Sequence, residues 1–482
     1  MTDQRILIVA FDALRPDMAT PDLMPNLNRF ADTGVRFLNA RSTFPTETRV
    51  NQTSLVTGAM PARHGIVGNH FMDRVASPDK LFNTGDEDAL REGDKRLNGK
   101  LVDAPVLGEA LAAAGESLAV VSSGTPGGTR MLHHRAEQLG QFRMSLHRPD
   151  ASTPPDQIKA AIERVGPIPA HAIPSLEWLD YTADLYLDYI QPELDPAVTI
   201  LWFCEPDNSY HFKGLGSDDN RAALARADAA FGRILAWREQ AGLSETLQII
   251  TLSDHGQLTV TADAVNVAGA LCDAGFSVGE TPFDGADCAL ALSSAGGVYV
   301  RDSDPGLIRR IAEFLQRQPW CGVTFTRNGD LSHKHFNIDH PRAPDIGLVM
   351  TSNDAVNEAG VVGSSLQDYS YPVGGGLHGG VHQKELHTWL AMNGGAFKGG
   401  VRADAPTGIV DIFPTVLSLL NIDPPAPVDG RVLAEALKNG GAAPAFEAET
   451  HAQTGVDGYS AHLSAHRVGA TRYLNRGWVE RR

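Results

Sequence analysis

The sequence predicts an α/β fold: a mainly parallel central sheet flanked by helices, with a small α+β insertion over one edge. Three observations carry this. The runs at 6–11, 198–203 and 247–252 are apolar and β-branched throughout, without the polar alternation of a half-exposed strand, so each is buried on both faces. Helical patterns separate them, and strand–helix alternation builds a parallel sheet. An aspartate lies at or just past the end of each run: Asp12, Asp207 and Asp254. In open α/β sheets that edge is where ligands bind.

The elements follow in order. Residues 24–34 read as a helix, with Leu27, Phe30 and Ala31 on one face, Pro25 in the first turn and Gly34 as the stop. The charged, Gly/Asp/Asn-rich stretch 73–100 reads as a surface excursion. Residues 105–114 form a helix ended by Gly115, and 118–121 a strand. After the strand at 198–203 a long helix covers 218–241, then comes the strand at 247–252. Residues 266–345 change character: a helical face of Val267, Ala270, Leu271 and Ala274, a short strand at 297–300, an amphipathic helix over 305–318 and a strand at 322–325. We read 1–265 and 346–440 as the catalytic core, 266–345 as a cap insertion and 441–482 as a C-terminal extension. Residues 409–422 are helical, and Pro424-Pro425 stop that helix.

Composition limits what the core can do. The 482 residues carry 41 basic and 58 acidic side chains, a net charge of −17. Such a chain repels nucleic-acid polymers, so an anionic substrate must be drawn by local charge, such as bound metal. Cys204, Cys272, Cys288 and Cys321 are widely spaced and form no CxxC pair, which predicts buried, reduced thiols. The N-terminal apolar run is too short for a signal segment, and no stretch is long and apolar enough to span a bilayer. The expectation is a cytoplasmic protein acting on a small molecule, with no membrane partner and with homo-oligomerisation left open.

The chemistry sits in a few clusters. Asp207 and His211 are four residues apart, a spacing that puts both on one helix face to share a metal. Asp254 and His255 are adjacent and can chelate together only if the backbone turns, which Gly256 permits. His378-Gly379 follows three glycines. Nitrogen and oxygen donors without thiolate suit zinc, with manganese or iron as alternatives. Thr48 opens a helix over 49–56, where a threonine serves as an N-cap. It serves equally as a nucleophile whose hydroxyl a metal activates, with helix N–H groups facing a phosphoryl oxygen. His64, His70, His382 and His387, near the motifs, are expected to support the ligands or the fold, and His133, His134, His333, His335, His340, His451, His462 and His466 to be surface or hydrogen-bonded residues.

These residues carry a family resemblance. The segments are Phe11-Asp12-Ala13-Leu14-Arg15-Pro16-Asp17, Met24-Pro25-Asn26-Leu27, Pro45-Thr46-Glu47-Thr48-Arg49-Val50-Asn51, Ser54-Leu55-Val56-Thr57-Gly58 and His64-Gly65-Ile66-Val67-Gly68-Asn69. Then come Asp207 with His211, Ser253-Asp254-His255-Gly256, His378-Gly379 and Asp411-Ile412-Phe413-Pro414-Thr415. In this order, over roughly the first 430 residues, the chain resembles the alkaline phosphatase superfamily in its nucleotide pyrophosphatase/phosphodiesterase (type I phosphodiesterase) branch. The resemblance implies an alkaline-phosphatase-like core and a hydrolase of phosphodiester or phosphoanhydride bonds. It implies Thr48 as nucleophile, forming a phospho-threonine intermediate, and two divalent ions, expected to be zinc. One would be held by Asp12, Thr48, Asp254 and His255, the other by Asp207, His211 and His378. Asn69 would donate to a phosphoryl oxygen.

The departures from that pattern matter as much. Arg49-Val50 stands where the branch often has Phe-Pro, and Gly379-Gly380 replaces Tyr-Asp. A phosphonoacetate-hydrolase-like enzyme cleaving a C–P bond is the alternative, but this chain lacks that group's lysines after the strand at 118–121, and Arg130 is the nearest substitute. A phosphonate monoester hydrolase or sulfatase mechanism needs a cysteine where Thr48 stands. A phosphoglycerate-mutase-like transferase would use serine, and a metal-stabilised binding protein would not need Thr48. With Asn69 a neutral donor and no third acidic cluster, diesters are expected to outpace monoesters, unless Arg49 reaches the phosphoryl site.

Overall fold

The computed structural model describes residues 4–482. Its centre is an eight-stranded sheet in the order Val401–Ala403, Val35–Phe37, Leu390–Asn393, Leu247–Leu252, Arg5–Phe11, Val198–Phe203, Leu118–Ser122, Arg143–Ser145. Arg5–Phe11 lies at the middle and runs parallel to both neighbours, pairing Ile6 with Val198, Phe11 with Phe203 and Ala10 with Leu252. Only Leu390–Asn393 runs against its neighbours within this sheet.

The uninterrupted apolar run has a direct cause. Ile6, Ile8 and Ala10 point into one hydrophobic layer and Leu7, Val9 and Phe11 into the other. Successive strand residues face opposite sides, so a strand covered on both sides needs both sets apolar. The helices Pro25–Thr33 and Asp218–Gln240 cover one face, through Phe30 and Phe231 packed edge to face at 5.3 Å. Thr48–Thr57 covers the other through Val50, Leu55 and Val56. Because the three central strands share register, Asp12, Asp207 and Asp254 emerge together at one edge.

The insertion forms its own five-stranded sheet, ordered Val278–Gly279, Cys288–Leu292, Ala295–Val300, Ile346–Met350, Cys321–Thr326. The helices Val267–Asp273 and Pro305–Gln316 pack Leu271, Ile311 and Leu315 against Val298 and Leu348. Ile346–Met350 completes this sheet, so the inserted unit runs past residue 345.

Two stretches differ from the sequence expectation. Residues 73–100 are not a simple surface excursion: they hold the strand Ser77–Asn83 and the helix Glu87–Arg96, capped by the Asp86 carboxylate. Glu87 is buried there against Arg130 (2.6 Å) and Arg143 (3.3 Å). Residues Glu447–Thr454, Tyr459–Val468 and Thr471–Arg481 form an antiparallel three-stranded sheet. It ties cap to core: the Tyr459 hydroxyl donates to the Gly322 carbonyl at 2.8 Å, and the Gly477 N–H to the Val381 carbonyl at 2.8 Å. Cys204, Cys288 and Cys321 are buried free thiols, but Cys272 is exposed. Among the described residues no helix is long and apolar enough to cross a membrane.

Candidate active site

Each side chain of the site is placed by its element. Asp12 follows the central strand, and its backbone carbonyl accepts the Asp207 N–H at 3.1 Å, locking two strand ends together. Asp207 opens the helix Asp207–Lys213, and His211 stands one turn later, with Nε2 3.2 Å from Asp207 Oδ1. Asp254 is held by the Ala13 N–H at 3.0 Å. Gly256 serves by close approach rather than by turning: a Cβ there would collide with the Lys384 carbonyl, and its φ is not left-handed. Gly379 does need its freedom, with φ of +133° directly after His378.

Thr48 is the first residue of its helix, and the capping position falls on Glu47. Thr48 therefore does not act as the cap; its Oγ1 lies 3.1 Å from His255 Nε2. The loop before it is pinned by Asn51, which accepts from the Thr43 N–H at 2.8 Å and donates to the Glu47 carbonyl at 3.0 Å. Asn69 lies beside the start of this helix. Its Oδ1 accepts the Arg49 N–H at 3.1 Å, which leaves its Nδ2 as a free donor among the described residues.

The histidines share one orientation. Nδ1–H of His211 donates to the Gly376 carbonyl at 2.7 Å, that of His378 to the Thr46 carbonyl at 2.8 Å, and that of His255 to the Gly256 carbonyl at 3.2 Å. This fixes the tautomer and turns each Nε2 lone pair inward, as second partners of metal-bound histidines do. The His255 and His378 rings stack at 3.8 Å.

The charges are those of a cation site. Asp207, His211 and His378 place one donor atom each within 4.8 Å of one another, and so do Asp12, Asp207 and His255. Asp12 Oδ1 and Asp254 Oδ2 are buried without a hydrogen-bond donor among the described residues, while Asp12 Oδ2 accepts the Trp202 indole N–H at 2.8 Å. Burial, then Asp254 and Asp207, hold the Asp12 carboxyl well above its usual range. Burial also pushes Asp207 up, but His211, His378 and His255 outweigh it and keep this carboxyl low. Burial and His255 push His378 well down. Buried like charges with orphaned oxygens are costly without a compensating cation, so the donor set fits divalent metal.

The structure therefore gathers all eight sequence-singled residues at one edge, with Asp207 facing both metal-type groups. It does not bring Arg130 there: that side chain is committed to Glu87. Several neighbours were not foreseen. Gln257 donates to Asp207. Glu47 accepts the Asn69 N–H, and its burial pushes its carboxyl up to about 7. Tyr371 stacks on the His211 ring at 4.0 Å and meets Tyr369 and Phe212, an aromatic rim that is partly exposed. From the cap, the Ser294 hydroxyl donates to the His378 carbonyl at 2.6 Å. A cavity of about 140 Å³ opens beside Glu47, between His70, Tyr369 and cap residues Ser293 and Tyr299. A larger cavity, about 1010 Å³, lies between the cap helix Pro305–Gln316 and the C-terminal sheet and holds none of these residues.

The comparisons with known proteins agree with this geometry. Residues 6–354 match the sequence model of the type I phosphodiesterase / nucleotide pyrophosphatase family. The chain belongs to that family, whose members hydrolyse phosphodiester and pyrophosphate bonds. It is 25% identical over 263 residues to rat (Rattus norvegicus) ectonucleotide pyrophosphatase/phosphodiesterase family member 3, covering 54% of this chain and 26% of that one. It thus spans about a quarter of that relative's length. It is 23% identical to human (Homo sapiens) bis(5'-adenosyl)-triphosphatase ENPP4 over 433 residues, 87% of this chain and 79% of the relative. The fold is that of murine ectonucleotide pyrophosphatase / phosphodiesterase 5, solved in complex with AMP: the TM-score is 0.62 at 19% identity, covering 90% of this chain and 100% of that one.

Proposed function

We propose that this chain hydrolyses a phosphodiester or phosphoanhydride bond of a small molecule through Thr48. The observation that carries the reading is the Thr48 hydroxyl, at a helix start, 3.1 Å from His255 and facing a buried cluster of three carboxylates and three histidines. Two divalent ions, of which zinc suits the donors best, would be held by Asp207, His211 and His378 and by Asp12, Asp254, His255 and Thr48. When bound, such ions lower the hydroxyl's pKa and offset charge on the phosphoryl oxygens.

The chain's own residues do the rest. Thr48 Oγ bonds to phosphorus as the bond from phosphorus to the leaving oxygen breaks, and the hydroxyl proton is released. Water then attacks the phospho-threonine, the Thr48–phosphorus bond breaks, and Thr48 regains a proton. Asn69 Nδ2 donates to a non-bridging oxygen. Helical N–H groups at the Thr48 end favour the same negative charge.

The test is hydrolysis of bis-aryl diesters, dinucleoside polyphosphates and phosphonoacetate by zinc-loaded protein, with Thr48→Ala as the control. The variant should keep its fold and metal and lose turnover about 10³-fold or more. Near-wild-type turnover in the metallated variant would refute the assignment.

A further inference from the structure

Arg49 follows the nucleophile directly, and its guanidinium has an unusual environment. Its Nε donates to Thr84 Oγ1 at 3.4 Å, and one Nη would stand 3.7 Å from a Cβ on Gly85. Thr84 in turn donates through its N–H and hydroxyl to the Asn69 carbonyl, at 3.0 and 2.8 Å. The guanidinium therefore lies along the same wall as Asn69, one residue from Thr48. Burial makes the guanidinium less basic than usual, and the nearby acids Glu47, Asp12 and Asp207, all around the site, oppose that shift.

No carboxylate among the described residues lies within ion-pair distance of that guanidinium. Other buried arginines are either paired with acids, as Arg15 with Asp17 at 2.7 Å, Arg130 with Glu87 at 2.6 Å and Arg342 with Asp73 at 2.7 Å, or spent on several neutral oxygens, as Arg41 on Ala40 and Asn475 and Arg238 on Ser244 and Asn393. In a chain with net charge −17, a half-buried cation beside a nucleophile, without an acid of its own, is built to meet an anion from outside. A planar guanidinium does this well, because its fork matches two oxygens of a phosphate or carboxylate.

We propose that Arg49 is a specificity-determining residue that favours substrates carrying a further negative charge on or next to the scissile phosphoryl group. Phosphoanhydrides, phosphate monoesters and carboxylate-bearing phosphonates have that charge; diesters of neutral alcohols do not. The proposal rests on the reading of Thr48 as nucleophile.

The experiment compares an aryl phosphate monoester with the matching bis-aryl diester in zinc-loaded wild type, Arg49→Ala and Arg49→Lys, and titrates inorganic phosphate calorimetrically. Arg49→Ala should lower the monoester-to-diester ratio of kcat/KM by about 10- to 100-fold, with Arg49→Lys between the two. Phosphate affinity should weaken by about tenfold or more. A ratio within threefold of wild type and an unchanged phosphate affinity would overturn the proposal. If no ester is turned over in a Thr48-dependent way, the functional reading falls, yet phosphate titration still decides whether Arg49 binds the anion.

Discussion

Replacing Asp12 by asparagine separates stability from metal binding. Oxygen or nitrogen donors of Asp12, Asp207 and His255 lie within 4.8 Å of one another. Two carboxylate charges at that separation repel by about 3.5 kcal/mol at an effective dielectric of about 20. Asp12 avoids part of this by holding a proton more readily than usual, because of burial and its acidic neighbours. Asp12→Asn removes the charge, and the amide oxygen can still accept the Trp202 N–H. The metal-free protein should therefore gain about 1–3 kcal/mol. Zinc at about 100 times its Kd should stabilise wild type by roughly 2.7 kcal/mol per site, and the variant by clearly less. Urea unfolding monitored by tryptophan fluorescence, with chelator and with zinc, reads both quantities. A variant that is less stable than wild type under chelation, and equally stabilised by zinc, would refute the reasoning.

Further outcomes follow from other sites. His211→Ala and His378→Ala should each lower the bound zinc, measured by elemental analysis after gel filtration, by about one ion per chain. Glu87→Gln leaves Arg130 and Arg143 buried with only the half-exposed Glu137 as counter-charge, and should cost about 3–5 kcal/mol in urea unfolding; a loss under 1 kcal/mol would contradict the picture. His64 is fully buried, accepts the Ile66 N–H at Nδ1 (3.1 Å) and faces Ser54 Oγ with Nε2 (3.0 Å). Burial, helped by His340 and Arg342, pushes it down to about 3. The unfolded chain takes up this proton below about pH 6.5 and the folded chain does not. Stability is therefore whole above pH 6.5 and is lost as the pH falls toward 3, by up to about 1.4 kcal/mol per pH unit. The slope of stability against pH over 6 to 5 should flatten by about that amount in His64→Gln.

Much of this was readable from the chain because it depends on local pattern. Ile6–Phe11 announced a doubly covered strand by composition alone, and Asp207 with His211 announced a shared face by spacing. Thr48 was legible as a helix start, though only the fold shows that Glu47 occupies the capping position. Other features rest on partners distant in sequence. Arg130 looked available for substrate until Glu87, 43 residues earlier, claimed it. Gln257 and Tyr371 acquire meaning only from the positions of Asp207 and His211. The C-terminal sheet escaped notice for a different reason. Tyr459, Ala461, Leu463 and Ala465 do alternate inward, but small residues and intervening histidines weaken that signal, and its partner surfaces lie on the cap and core.

The order in which the ligands are synthesised sets when the site can exist. Asp12, Thr48, Asp207, Asp254 and His255 all precede the cap, whereas His378 follows it, and the Thr46 carbonyl has its imidazole partner only once that last stretch is in place. A chain emerging from the ribosome, at about 5–20 residues per second, holds the acidic half of the cluster well before its final histidine. Until then the cluster lacks one of the three imidazoles that hold Asp207 ionised, and the group of Asp207, His211 and His378 is incomplete. A nascent chain stalled within residues 267–350 therefore has an incomplete donor set by its topology alone.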